Sequence, residues 1–298
     1  VGRLSSEVPV EPFARLCENG QAVVWFHLAI DAVSEVAVVS EPAAHDGLAV
    51  ARQRERADEV WIEAEAGMRL DDLIARLAAE GITGMENLSY IPGEIGGAAV
   101  QNVGAYGVEL KDVVEGVRAV SVLSGEARQF TREECQYGYR SSVFKTTEKG
   151  KWVIVSVLLH LHKGGALQLS YGRLRQMVPP SASAQDVREA VIRIRREKLP
   201  EVSELGSAGS FFKNPVLSEE QYAALKERYA DMAGYVTAEG VKVSCAWLIE
   251  QCGLKGKKVG GAQVYERQPL VIVNTGNASA KDIISLAELV QQSVRQRR

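Results

Sequence analysis

The stretch 91–107, IPGEIGGAAVQNVGAYG, constrains this chain more than any other. Glycine at 93, 96, 97, 104 and 107 and alanine at 98, 99 and 105 leave it almost without side-chain volume. Such a run lets another body come close to the backbone. It reads as a loop whose amides meet a phosphate without interference from Cβ atoms. Gln101 and Asn102 are polar insertions in it, and Tyr106 between Ala105 and Gly107 leaves space for a planar ring. The alternative is tight turns and close strand packing, which also require glycine. The run lacks both the GxGxxG order of a dinucleotide fingerprint and the GK[ST] ending of a nucleotide loop, so it points to a dinucleotide held by a different fold.

A second stretch, 206–215 (GSAGSFFKNP), sets Ser210 between Gly209 and a Phe211–Phe212 wall, with Lys213 and Asn214 following. No GxSxG elbow surrounds it, and none of the four histidines (His27, His45, His160, His162) is near it in sequence, which disfavours a Ser–His–Asp hydrolase. Ser210 reads as a proton donor in a dry pocket, or else as a serine in a packed turn. At 137–145 (YGYRSSVFK) a guanidinium lies among aromatic rings. Arg140 there is either a surface ion-pair partner or a carboxylate clamp, for which its planar fork is suited. Lys198, at a helix end, is an ordinary solvated charge or a phosphate ligand.

Composition limits the function classes. A net charge of −3 over 298 residues gives no general basic field for nucleic acid, so an anionic ligand must be met locally. The four cysteines (17, 135, 245 and 252) are scattered without a CxxC pair, reading as incidental thiols in a reducing compartment; no metal site is expected. Apolar runs fall short of the roughly 18 residues that span a bilayer, and no signal segment is seen. The expectation is a cytoplasmic protein without nucleic-acid or membrane partners.

Strands are expected at 22–30, 33–39, 59–65, 113–123, 152–160 and 263–274. Helices are expected at 70–80, with Leu70, Leu73, Ile74, Leu77 and Ala78 on one stripe and Gly81 as the stop, and at 185–198, with Val187, Ala190, Val191 and Ile194 inward. Ser218 with Gln221, Ser244, and Ser279 with Asp282 open further helices, and Thr131 with Glu134 opens a helical turn. A boundary at 200–206 divides the chain into 1–200 and 201–298.

These residues carry a likeness. The ordered motifs VVWFHLAI, ENLSYIPGEIGGAAVQNVGAYGVEL, CQYGYRSSVFK, SYGRL, IRREKLP, GSAGSFFKNP and SCAWLIEQCGLKGKKVGGAQV resemble those of the UDP-N-acetylenolpyruvoylglucosamine reductases, flavoenzymes that complete UDP-N-acetylmuramic acid for bacterial peptidoglycan. The resemblance implies an α+β chain: a vanillyl-alcohol-oxidase-like (PCMH-type) FAD-binding domain at 1–200, then a smaller α+β substrate-binding domain at 201–298. It implies FAD and NADPH as cofactors and a nucleotide-sugar substrate. It assigns proton donation to Ser210, assistance to Arg140, and substrate contacts to Tyr139, Tyr171, Lys198, Asn214, Lys255 and Gln268. Cofactor contacts fall to Pro92, Gly93, Gly96, Gly97, Gln101, Asn102, Gly104, Ala105, Tyr106 and Gly107.

Two departures from the family pattern bear on activity. Residues 1–18 do not match the family's N-terminal FAD segment with its GGGSN-type loop, and the ending QQSVRQRR lacks the strand carrying an LEPEVR-like catalytic glutamate. A catalytically incomplete nucleotide-sugar-binding relative, or a fragment with weak FAD binding, is therefore the alternative expectation. A third reading is an oxidase of the same flavin fold; no His or Cys is suitably placed for covalent flavin attachment.

Overall fold

The computed structural model describes residues 50–297, which divide into two compact units at Arg195/Arg196. The strands expected at 22–30 and 33–39 lie outside the described residues.

The first unit is built on an antiparallel sheet. Strands β1 (Val50–Arg56) and β2 (Glu59–Glu65) form a hairpin, and helix α1 (Leu70–Ala79) and strand β3 (Ile82–Thr83) follow. Helix α2 (Ile95–Gln101) leads into the small hairpin β4 (Gly104–Ala105) and β5 (Val108–Glu109), then into β6 (Val114–Ser121), β7 (Ala127–Thr131) and β8 (Trp152–Lys163). The sheet order is β1-β2-β8-β6-β7, with β3 paired to the end of β8. Strict alternation in β2 sends Val60, Ile62 and Ala64 to the core face, where they meet Val157, Leu159 and Leu161 of β8 and the stripe of α1. All five expected α1 stripe residues are buried, and Gly81 ends the helix at φ +71°. A short helix α3 (Leu174–Met177) and helix α4 (Ala184–Lys198) form a satellite cluster around Leu174, Val187, Ala190, Val191 and Ile194.

The second unit contains β9 (Gly206–Ser210), β10 (Val216–Leu217), helix α5 (Glu219–Arg228), the hairpin β11 (Gly234–Thr237) and β12 (Gly240–Val243), and helix α6 (Cys245–Gln251). Strands β13 (Lys258–Val259), β14 (Ala262–Val264) and β15 (Val271–Asn274) and helix α7 (Ala280–Gln296) complete it. One sheet runs β13-β14-β15-β9, with β9 at its edge; a second runs β10-β12-β11. Ile249, Val264, Ile272, Leu286 and Val290 form the core under α6 and α7. The capping boxes Ser218/Gln221 and Ser279/Asp282 are made as expected, and Ser244 accepts a bond from the Trp247 amide.

Three expectations are corrected. The stretch 263–274 is two strands, β14 and β15, joined by a turn in which the Tyr265 amide donates to Val271 O. Thr131 and Glu134 exchange both capping-box bonds, at 2.9 and 3.3 Å, yet close a run of turns with no helix. The strand expected at 113–123 stops at Ser121, leaving Leu123 92% exposed.

Candidate active site

The glycine run is not one loop. Its first half is helix α2, buried at Ile95, Gly96, Ala98, Ala99 and Val100. A Cβ on Gly96 would stand 2.8 Å from Ala66 Cβ, so this glycine serves the approach of α2 to the segment after β2. The amides of Ile95 and Gly96 donate to Met68 O and Ala66 O, both at 2.9 Å, and so are spent inside the protein rather than offered to a phosphate. Gly93 and Gly97 differ: no heavy atom lies within 4 Å of a Cβ at either position, Gly93 is exposed at φ +109°, and Gly97 is half-exposed. Pro92 is exposed beside them.

The second half is a tight hairpin in which Tyr106 (φ +48°) and Gly107 (φ +86°) make the two-residue turn between β4 and β5. Positive φ at both positions matches the twist of the flanking strands. Asn87 Nδ2 donates to Tyr106 O at 2.8 Å and to Gln168 O at 2.9 Å, tying the turn to the segment that carries Tyr171. The Tyr106 and Tyr171 rings meet edge to face with centroids 5.9 Å apart, and Tyr171 is 39% exposed. Burial raises the Tyr106 phenol pKa, although the hydrogen-bonded Arg195 guanidinium pulls it down.

Asn102 joins the two halves. It caps α2 in the left-handed region at φ +44° and is fully buried. Its Nδ2 donates to Glu109 Oε2 and Gly138 O, both at 2.9 Å, and its Oδ1 accepts from the Lys111 amide at 3.0 Å. Expected as a cofactor contact, the side chain is committed to the protein.

Arg140, itself at φ +55°, is fastened to the same hairpin: Nη2 donates to Gly104 O at 2.5 Å and Nη1 to Asn102 O at 3.4 Å. A Cβ on Gly104 would stand 2.8 Å from Arg140 Nη1, so glycine is what admits the guanidinium. Its Cζ lies 5.1 Å from the Tyr139 ring centroid. Lys145 Nζ donates to Arg140 O at 3.0 Å and to Gln101 Oε1 at 2.9 Å. The first unit thus gathers Gln101, Asn102, Gly104, Ala105, Tyr106, Gly107, Tyr139, Arg140 and Tyr171.

In the second unit Ser210 ends edge strand β9 opposite Val271, whose amide donates to Gln268 O at 2.9 Å. Ser210 and the Gln268 turn are therefore neighbours. The dry pocket is corrected: Ser210 is exposed, because β9 ends at this residue and the chain beyond it packs both Phe211 and Phe212 against the core rather than around the serine. Asn214 Oδ1 caps the Cys245 amide at 2.9 Å. Lys255 is exposed and pairs with Glu250, and Lys198 is exposed on the last turn of α4.

Family models match at two places: the FAD binding domain over residues 42–131, and the UDP-N-acetylenolpyruvoylglucosamine reductase C-terminal domain over 200–298. The chain is also 39% identical over 298 residues to the UDP-N-acetylenolpyruvoylglucosamine reductase of Alcanivorax borkumensis, covering 99% of this chain and 83% of that protein. It belongs to the UDP-N-acetylenolpyruvoylglucosamine reductase family. The Pseudomonas aeruginosa reductase is 44% identical over 246 residues, covering 81% of this chain and 72% of that one. The solved UDP-N-acetylenolpyruvylglucosamine reductase from Thermus caldophilus matches with a TM-score of 0.55 at 26% identity, covering 77% of this chain and 68% of its own. The expected order, an FAD-binding α+β domain followed by the family's C-terminal domain, is what these matches show.

For a reductase of this family, sequence reading passed over the residues that position the site rather than form it: Glu109 and Gly138 holding Asn102, Asn87 under Tyr106, Arg195 on its phenol, and Lys145 between Gln101 and Arg140. Each of them lies within a motif of the sequence, Gly138 and Lys145 both in the YGYRSSVFK run, but no local spacing shows which partner it holds.

Proposed function

We propose that this chain is a cytoplasmic FAD-dependent, NADPH-driven reductase that converts UDP-N-acetylglucosamine enolpyruvate to UDP-N-acetylmuramate for bacterial peptidoglycan. The observation that carries it is the 39% identity to a named reductase across 99% of the chain. The open Cβ positions at Gly93 and Gly97, and the small-residue hairpin Gly104–Gly107, suit a flat ligand lying against backbone. Pro92, Gly93, Gly97, Gln101 and residues 104–107 would hold FAD there. When bound, FAD supplies two-electron hydride carriage between NADPH and the enolpyruvyl double bond.

The chain's own residues handle the charge and the proton that this chemistry leaves behind. Arg140 is held by two carbonyls before substrate arrives, so its charge needs no reorganisation to meet the negative charge that builds toward the substrate carboxylate. Ser210 is exposed and makes no side-chain hydrogen bond among the described residues, which suits a hydroxyl that gives its proton to the neighbouring substrate carbon. Tyr139, Tyr171, Lys198, Asn214, Lys255 and Gln268 bind the nucleotide sugar, Asn214 with its Nδ2 because its Oδ1 already caps α6.

The test separates the two half-reactions. In Ser210→Ala, NADPH should bleach the flavin at close to the parent rate while product formation falls by about 10²-fold or more, the scale of one positioned proton donor. Equal loss of both steps in folded protein would assign Ser210 a structural part instead.

A further inference from the structure

Strand alternation puts His160 and His162 of β8 on one face of the first unit's sheet, and the antiparallel register sets Trp61 opposite His160 and Glu59 opposite His162. One ligand atom from each of Glu59, His160 and His162 lies within 4.8 Å of the other two. His160 Nε2 stands 3.2 Å from Glu59 Oε1, yet it is sealed from solvent and makes no hydrogen bond. That orphaned nitrogen belongs to a ring already fixed in place: it stacks on Trp61 at 4.6 Å with planes 3° apart, and the Arg54 guanidinium lies 5.6 Å from the Trp61 ring centroid. His160 and His162 also line a cavity of about 340 Å³ shared with Asp112, Glu115 and Thr83.

We infer that Glu59, His160 and His162 form a binding site for one borderline transition-metal cation of the Zn2+ class. Two imidazoles and a carboxylate are the donor set such ions take, with bonds of roughly 2.0–2.1 Å that put neighbouring ligands roughly 3.3 Å apart. The His160–Glu59 separation already matches that spacing, and closing the remaining gap takes a rotation of the exposed His162 ring. Three protein ligands leave a fourth position for water or for a group entering the cavity. The site is built on β2 and β8, whereas the first unit's reductase residues lie on α2, the β4–β5 hairpin and the segments around Arg140 and Tyr171. Mg2+ is disfavoured, because it prefers oxygen ligands and keeps its water.

The test is equilibrium dialysis of the chelator-treated, tag-free protein against Zn2+, Ni2+ and Mg2+, with Trp61 as a local reporter. One saturable Zn2+ or Ni2+ per chain is expected, weakened by at least 10-fold in Glu59→Gln and in His162→Gln, since even an outer-shell partner is worth roughly 10- to 100-fold. Cu2+ or Ni2+ should quench a tryptophan component that Trp61→Phe removes. His162 is exposed, so its variant folds; Trp61 quenching in parent protein tests the site without any ligand substitution. No saturable binding at about 100 µM Zn2+, equal binding by His162→Gln and parent, or Mg2+ binding as tight as Zn2+ would each overturn the inference.

Discussion

Replacing Asn102 with alanine should unfold the first unit well before the second. The substitution removes three hydrogen bonds from a fully buried side chain, those to Glu109, Gly138 and the Lys111 amide. At about 1 kcal/mol net for each bond, the loss is about 3 kcal/mol. Alanine also lacks asparagine's tolerance of the left-handed region, where φ is +44°, and that adds about 1 kcal/mol. The sum, about 4 kcal/mol, is a large part of the 5–15 kcal/mol that holds a typical domain. At about 2–4 °C per kcal/mol it lowers the melting temperature of the first unit by about 10 °C.

Melting followed by release of flavin fluorescence reads that unit, and far-UV circular dichroism reads the whole chain. Asn102→Asp sharpens the test. It keeps the acceptor for the Lys111 amide but turns both donors into acceptors facing Glu109 and Gly138 O. Two carboxylates this close disfavour double ionisation, so the variant should be at its worst at pH 8 and recover as acid protonates one of them. A fall of under 2 °C in Asn102→Ala, or an Asn102→Asp variant indifferent to pH, would refute the reading of Asn102 as the joint between helix and hairpin.

Three further outcomes are expected. Arg140→Lys should lower turnover by about 10²-fold with reduction of the flavin by NADPH spared, because a point charge replaces a fork held on two carbonyls; parent-like turnover would remove Arg140 from the chemistry. Asp71, which Arg188 grips at 2.5 and 3.0 Å, has its carboxyl held below the ordinary 3.8: burial pushes it up, but the bonds from Arg188 and the Tyr90 amide outweigh that. A depressed folded pKa means stability is full above 3.8 and lost as pH falls through the folded value, so the gap of about 2–3 kcal/mol between parent and Asp71→Asn in urea melts should be constant from pH 7 to pH 5 and close in acid. Gly96→Ala should destabilise by about 1–3 kcal/mol through its clash with Ala66, whereas Gly97→Ala should stabilise the flavin-free protein by up to about 1 kcal/mol while weakening FAD affinity; identical behaviour of the two in melts would show that the open space at Gly97 is not real.

What the sequence made legible was what is decided within a few residues. The α1 stripe, the alternation of β2 and the serine caps of α5, α6 and α7 depend on periodicity and on side chains three positions apart, and the chain folds there as those rules require. The glycine run misled because glycine costs a helix about 1 kcal/mol per residue, so propensity reads α2 as loop; a contact from outside the run, Ala66 against Gly96, overrides that local preference. Tyr106 gave no hairpin signal because the turn it makes is ordinarily built from asparagine or aspartate before glycine. Ser210 reads as pocketed because its neighbours in sequence are aromatic, yet β9 ends at the serine and the chain beyond it packs Phe211 and Phe212 against the core, so they describe the core and not the serine's surroundings. Strand alternation, read at a spacing of two, puts His160 and His162 on one face. Their carboxylate partner could not be read from the chain, because Glu59 reaches them only through the register of two strands about a hundred residues apart in sequence. In each case spacing identified which side chains share a face, and tertiary pairing decided what that face meets.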